Sequence, residues 1–239
     1  MSNILKIIAF LAMLFFTPVG GLFFGCITSE PKVCHDIIGI GNKSATGFYI
    51  HDNLILSSDI SVARCKQISI IGSNNKQTKA TIEKVDINKG ISILRTDESI
   101  APTAIFYNNN YPDTIKTKLH DYTSEPGRFF TKTVILSKML ATKFIETKGH
   151  SFDRSNSGAP ITDERGILVA MAHSFVKEKA LFHFLGNKKT DLSIGYQHLL
   201  EFLDNNKIPH YKYVDKPKMN RYVNSSGYKN NIAVNIICF

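Results

Sequence analysis

Asp153-Arg154-Ser155-Asn156-Ser157-Gly158-Ala159-Pro160 is the stretch on which the fold reading turns. Serine, asparagine, glycine and proline crowd into eight residues, so the segment reads as a tight turn in which glycine supplies a conformation other residues avoid. A short strand, the turn Asp163-Glu164-Arg165-Gly166 and the strand GILVAMA follow.

Outward from this loop the chain alternates short apolar runs with turn residues. DIIGIG, ATGFYI, NLILSS, KQISIIG, KATIEKV, GISILR, TAIFY, KTVIL, KFIET, GILVAMA and ALFHFL are four to seven residues long and rich in Ile, Val, Phe, Thr and Tyr. His51-Asp52-Asn53, Gly72-Ser73-Asn74-Asn75 and Asn108-Asn109-Asn110 separate some of them. That spacing predicts an all-β sandwich or barrel. Helical periodicity is good only in IGYQHLLEFLDNN, where Ile194, His198, Leu199, Phe202 and Leu203 share a face and Ser193 is the expected N-cap. With 239 residues, 43% hydrophobic and 21% charged, a real core is available. Disorder, a collagen-like repeat and a disulfide scaffold are excluded, and no self-similarity of 20 to 50 residues points to a solenoid.

SNSGAP resembles the G-[DN]-S-G-G-P nucleophile loop of chymotrypsin-like (trypsin-fold) serine proteases. Three more segments follow the same family's order. Ala45 to Ser58 is similar to the strand pair leading to the catalytic histidine, and Lys79 to Leu94 to the strand and turn leading to the catalytic aspartate. GILVAMAHS with LSIGYQHLLEFL resembles the strand after the serine and the closing helix of glutamyl endopeptidases and high-temperature-requirement proteases. The resemblance spans roughly residues 36 to 205. It implies two six-stranded antiparallel β-barrels with a C-terminal helix over 34–206, barrel one at about 34–105 and barrel two at about 106–206.

The same resemblance assigns Ser157 to the nucleophile position and the backbone of Ser155 and Ser157 to the oxyanion pocket. It also exposes departures: Ile60 stands at the histidine position and Gly90 at the aspartate position, while Ser155 replaces a glycine. A serine hydroxyl without a base is a poor nucleophile, and losing triad members costs about 10⁴ to 10⁶ in rate. The expectation is a degenerate homologue, a pseudoprotease acting by binding a protein or peptide in the inter-barrel cleft. Two alternatives stay open: an active serine endopeptidase with Ser157 and an unrecognised base, and a basic surface-binding module. In glutamyl endopeptidases a histidine on the strand of His173 reads the substrate's first subsite, and Ser151 falls at that subsite's floor. For His173 a strand residue satisfied by backbone partners is the competing reading. No cofactor is expected, and His35, His198 and His210 have no metal-ligand spacing.

The ends carry the localisation and charge signals. Ile7 to Ile27 holds no charged residue and Lys6 precedes it, so residues 1–28 read as a signal peptide, a lipid-attached leader or a retained span. The protein is expected to be secreted, periplasmic or anchored outside the cytoplasm, with membrane association through residues 4–27. Of Cys26, Cys34, Cys65 and Cys238, the pair Cys34 and Cys65 is the intradomain candidate, with free buried thiols as the alternative. Lys+Arg total 29 against 20 acids, a net +9, and Asn205 to Phe239 holds six Lys/Arg and one Asp, hence +5 of it. Residues 207–239 are expected to form a basic C-terminal tail whose 207–229 part meets an anionic surface; nucleic acid is not the expected partner. The closing NIAVNIICF is left open between a last strand, a partner-binding segment and a packed terminus.

Overall fold

Barrel one borrows its sixth strand from the far end of the chain. In the computed structural model, which describes residues 43–58, 62, 65–108, 112–122, 129–138, 144–150, 152, 155–173 and 191–239, five of its strands are near neighbours in sequence. They are β1 (Lys43–His51), β2 (Leu54–Ser58), β3 (Ile68–Ile71), β4 (Gln77–Asp86) and β5 (Ile91–Thr96). The sixth is β14 (Ala233–Cys238), which lies between β1 and β3 and closes the order β1-β14-β3-β4-β5-β2. Its register is antiparallel on both sides, Thr46 opposite Asn235 and Ile70 opposite Ile236. Val234 and Ile236 pack inside the barrel with Tyr49, Ile55, Ile70 and Leu94.

The basic 207–239 segment is therefore not an appendage. Cys238 is bonded to Cys65, with Cα atoms 5.2 Å apart, so the expected Cys34–Cys65 pairing is replaced by one that pins β14 to barrel one. The anticipated leader, Cys26, Cys34, the strand runs at 36–41 and 180–185, Ile60 and Ser151 lie outside the described residues.

Barrel two is built from β7 (Thr114–Tyr122), β8 (Phe129–Lys138), β9 (Phe144–Lys148), β12 (Asp191–Gly195), β11 (Leu168–His173) and β10 (Pro160–Thr162) in that order around the barrel. Pairing of β10 with both β7 and β11 closes it. On β11 two short parallel strands are added, β6 (Ile105–Phe106) and then β13 (Tyr211–Lys212). The fold is thus the expected pair of six-stranded antiparallel barrels.

Alternation explains why the strands of barrel one that face barrel two read as unbroken apolar runs. On β2, Ile55 points into barrel one, while Leu54 and Leu56 join the core shared with barrel two. On β5, Leu94 is inside and Ile91 and Ile93 face the shared core. A strand buried on both faces has no polar side to show.

The closing helix is shorter than its periodicity predicts. Helix α1 (Tyr196–Asn205) starts after Gly195, with no side-chain cap. Ser193 and Ile194 belong to β12, where the Ser193 hydroxyl meets Thr147 Oγ1 at 2.7 Å inside the barrel. Two more helices, α2 (Pro217–Asn224) and α3 (Ser226–Lys229), lead into β14. Val223 and Tyr228 anchor them in the shared core, and Ile105 N–H donates to the Tyr228 hydroxyl at 3.1 Å.

Candidate active site

The loop expected to carry the nucleophile closes as a four-residue turn. Ala159 N–H donates to Asn156 O at 2.9 Å, and the third residue, Gly158, has φ +96°. A positive φ at that position is what a type II turn demands, and glycine meets it without strain. Space makes the same demand, because a β-carbon on Gly158 would overlap Thr46 O and Ser57 Oγ of barrel one. The loop is thus seated directly on β1 and β2. From the other side, Gly158 N–H donates to Ala172 O at 2.9 Å and Ala172 N–H to Ala159 O at 2.8 Å, which ties the turn to β11.

A buried carboxylate braces this seat. Asp121, at the end of β7 and with no exposed surface, accepts from Thr46 Oγ1, from Asn156 Nδ2 and from Tyr122 N–H at 2.7 Å. Thr46 Oγ1 also lies 3.1 Å from Ser155 O. One carboxylate therefore holds β1, β7 and the nucleophile loop together. Buried ions persist only where such donors converge on them. The sequence gives no sign of this role, since Asp121 lies 35 residues before Asn156.

Of the residues expected at the site, Ser155 and Ser157 sit in this loop, and Ser157 has no exposed surface. Gly90 ends the turn between β4 and β5 with φ +72°. Against it lies the ring of His173, so close that a β-carbon on Gly90 would stand 2.6 Å from Cε1 and 3.0 Å from Nε2. His173 Nδ1 is 3.3 Å from Ser58 Oγ, and its ring stacks on Phe144 at 6.0 Å between centroids. The Ser92 hydroxyl completes the seam by donating to Ser58 O at 3.1 Å. The structure thus brings His173 to the position expected of the aspartate. Ser58, Thr46 and Asp121 contact these residues and are not singled out by the sequence.

Among the described residues no cluster of His, Cys, Asp and Glu has the makings of a metal site. His198 is near Glu201 at the surface, and the largely buried His210 ring reaches the exposed Asp204, each at 3.5 Å.

No family model and no curated protein matches the sequence. Solved structures do match the fold. The inactive form of the Rv3671c protease of M. tuberculosis H37Rv superposes with a TM-score of 0.55 at 12% identity, covering 74% of this chain and 95% of that one. A serine endoprotease from Yersinia pestis gives 0.54 at 14% identity, over 70% of this chain and 62% of that one. The HtrA-type protease AlgW, solved with a decapeptide, gives 0.55 at 16% identity; 67% of this chain matches 50% of that one. At such identities the likeness is one of fold: this chain has the two-barrel architecture of trypsin-like serine proteases.

Proposed function

We propose that the chain is an exported homologue of trypsin-like serine proteases that has lost efficient proteolysis and acts by binding a protein or peptide in the cleft between its barrels. One observation carries the reading: the room for a side chain at Gly90 is filled by the His173 imidazole. Where the family would hold a carboxylate to orient its base, a ring from the opposite barrel stands against bare backbone. The missing members cost about 10⁴ to 10⁶ in rate.

Export is supported by the apolar stretch from Ile7 to Ile27 and by the Cys65–Cys238 disulfide, a bond typical of oxidising compartments. A fusion of residues 1–42 to a reporter active only outside the cytoplasm is expected to be active. Silence would refute export.

The catalytic half is tested with a fluorophosphonate probe. Native protein is expected to stay unlabelled at Ser157 and to retain peptides from a library without cutting them. Restoring Ile60→His and Gly90→Asp alone forces the new carboxylate into His173, so the restoring variant also needs His173→Ser. That triple variant is expected to gain labelling. Labelling of the native chain at the rate of a working protease, or cleavage that Ser157→Ala abolishes, would sink the reading; dependence on His173 would then identify the unrecognised base.

A further inference from the structure

Helix α2 carries its charge on one face. At 3.6 residues per turn, Lys218, Arg221 and Tyr222 fall within about 100° of its circumference and are exposed. Val223, on the opposite side, is buried in the shared core, with Met219 packed against that core beside it. Lys216, just before the helix, is also exposed.

Among the described residues no carboxylate pairs with Lys216, Lys218 or Arg221. Asp215, the one acid between Asn205 and Phe239, accepts from Asn220 Nδ2 at 2.8 Å and lies 3.5 Å from the Tyr213 hydroxyl. Lys212 is already paired with Asp204 at 3.0 Å.

Half-exposed aromatic and apolar groups border the charges. Tyr211, Val214 and Tyr222 keep 41%, 46% and 41% of their surface in solvent. The two tyrosines are held to one short piece of chain: Tyr211 pairs with Ile105, and the Tyr222 hydroxyl donates to Thr103 O at 3.3 Å. Tyr211 stacks on His51 and Tyr222 leans on Tyr228, so both rings are fixed in place.

We infer that α2 and the segment leading to it from Tyr211 form a platform that seats the protein on an anionic phospholipid surface. Lysine and arginine near such a surface each add attraction, and tyrosine is at home where apolar and wet regions meet. The rigid attachment to both barrels means that the platform orients the body as it binds. Single-stranded nucleic acid is less well matched. Its binders line a groove with cations and stacking rings, whereas these cations share one face of a two-turn helix. The apolar stretch from Ile7 to Ile27 argues for the bilayer as well. The inference stands independently of the catalytic reading.

The test uses the full chain and co-sedimentation with phosphatidylcholine vesicles made with and without phosphatidylglycerol. Comparing the two cancels whatever the apolar N-terminal stretch contributes, because that stretch meets both. The native chain is expected to prefer the anionic vesicles, and Lys216→Gln/Lys218→Gln/Arg221→Gln to lose about 100-fold of that preference, at about fivefold per cation. A variant with the same charge removed from barrel one, Lys76→Gln/Lys79→Gln/Lys84→Gln, is expected to keep most of it. Single substitutions, each worth about fivefold, carry the test if the triple variant does not fold. Equal binding to both vesicles, an equal loss in the barrel-one variant, or retention of a single-stranded oligonucleotide without preference for anionic vesicles would overturn the platform.

Discussion

At Gly90 a β-carbon would stand 2.6 Å from His173 Cε1, on a backbone with φ +72°. Two costs follow, a clash with a rigid, packed ring and a left-handed conformation that penalises any β-carbon by about 1–2 kcal/mol. Gly90→Asp is therefore expected to destabilise the protein by about 2–4 kcal/mol. Adding His173→Ser should recover the steric part and leave the backbone part. Urea unfolding of the single and double variants checks this, and a harmless Gly90→Asp would mean that the ring does not fill the site. His120 offers a second test. It is buried in barrel two, its Nε2 is 2.8 Å from Thr162 Oγ1, and burial, helped by the nearby Lys118 charge, lowers its pKa to about 4. The unfolded chain protonates near 6.5, so below that pH it binds a proton that the folded state refuses. Stability is complete above pH 6.5 and falls as the pH drops toward 4, by about 3 kcal/mol from this residue. Comparing urea unfolding of the native chain and His120→Asn at both ends of that range isolates the contribution. The turn around Ser157 was legible through the resemblance of SNSGAP to a nucleophile loop, because such a turn is local in sequence. The pairing of Gly90 with His173 was not, because 83 positions separate them and only the docking of two barrels brings them together.

Strand β14 is the element that the sequence left open, and the reason lies in its partners. NIAVNIICF has the apolar content of a strand, but its neighbours β1 and β3 lie more than 150 residues away, beyond any local signal. Strand β7 escaped notice for a different reason: Lys116, Lys118, His120 and Asp121 dilute the apolar pattern of Thr114–Tyr122. Two of those polar residues are buried, His120 within barrel two on Thr162 and Asp121 under the loop of Ser157, where barrel two meets β1. Ser193 has the sequence position of a helix cap but lies in β12, because β12 runs into α1 without a break and apolar residues of both satisfy a helical spacing. The Cys65–Cys238 bond closes a loop of 173 residues, so its loss frees much chain entropy in the unfolded state. Cys238→Ser is expected to cost about 2–5 kcal/mol, read as a lower melting temperature that added reductant does not lower further. Reductant should bring the native chain down to the same level; melting unchanged by either would mean that the bond contributes nothing to holding β14.

Across the whole molecule, barrel one cannot close until the last part of the chain is in place. Its core lacks Val234 and Ile236 without β14, each worth on the order of 2 kcal/mol of burial, and β1 and β3 are left with unpaired edges. Leu54, Leu56, Ile91 and Ile93 of barrel one also belong to the core of barrel two, so the loss does not stay local. The two barrels should therefore unfold in one transition, and pairing across such sequence distances makes folding slow for the size. A chain ending at Asn231 is expected to lose amide-exchange protection along both neighbours of the missing strand, Lys43–Phe48 and Ile68–Ile71. Adding the peptide 232–239 in trans should restore it, because the slot between β1 and β3 is defined by the rest of the barrel. Protection that survives the truncation would mean that barrel one closes without β14, and that the two barrels are separable units after all.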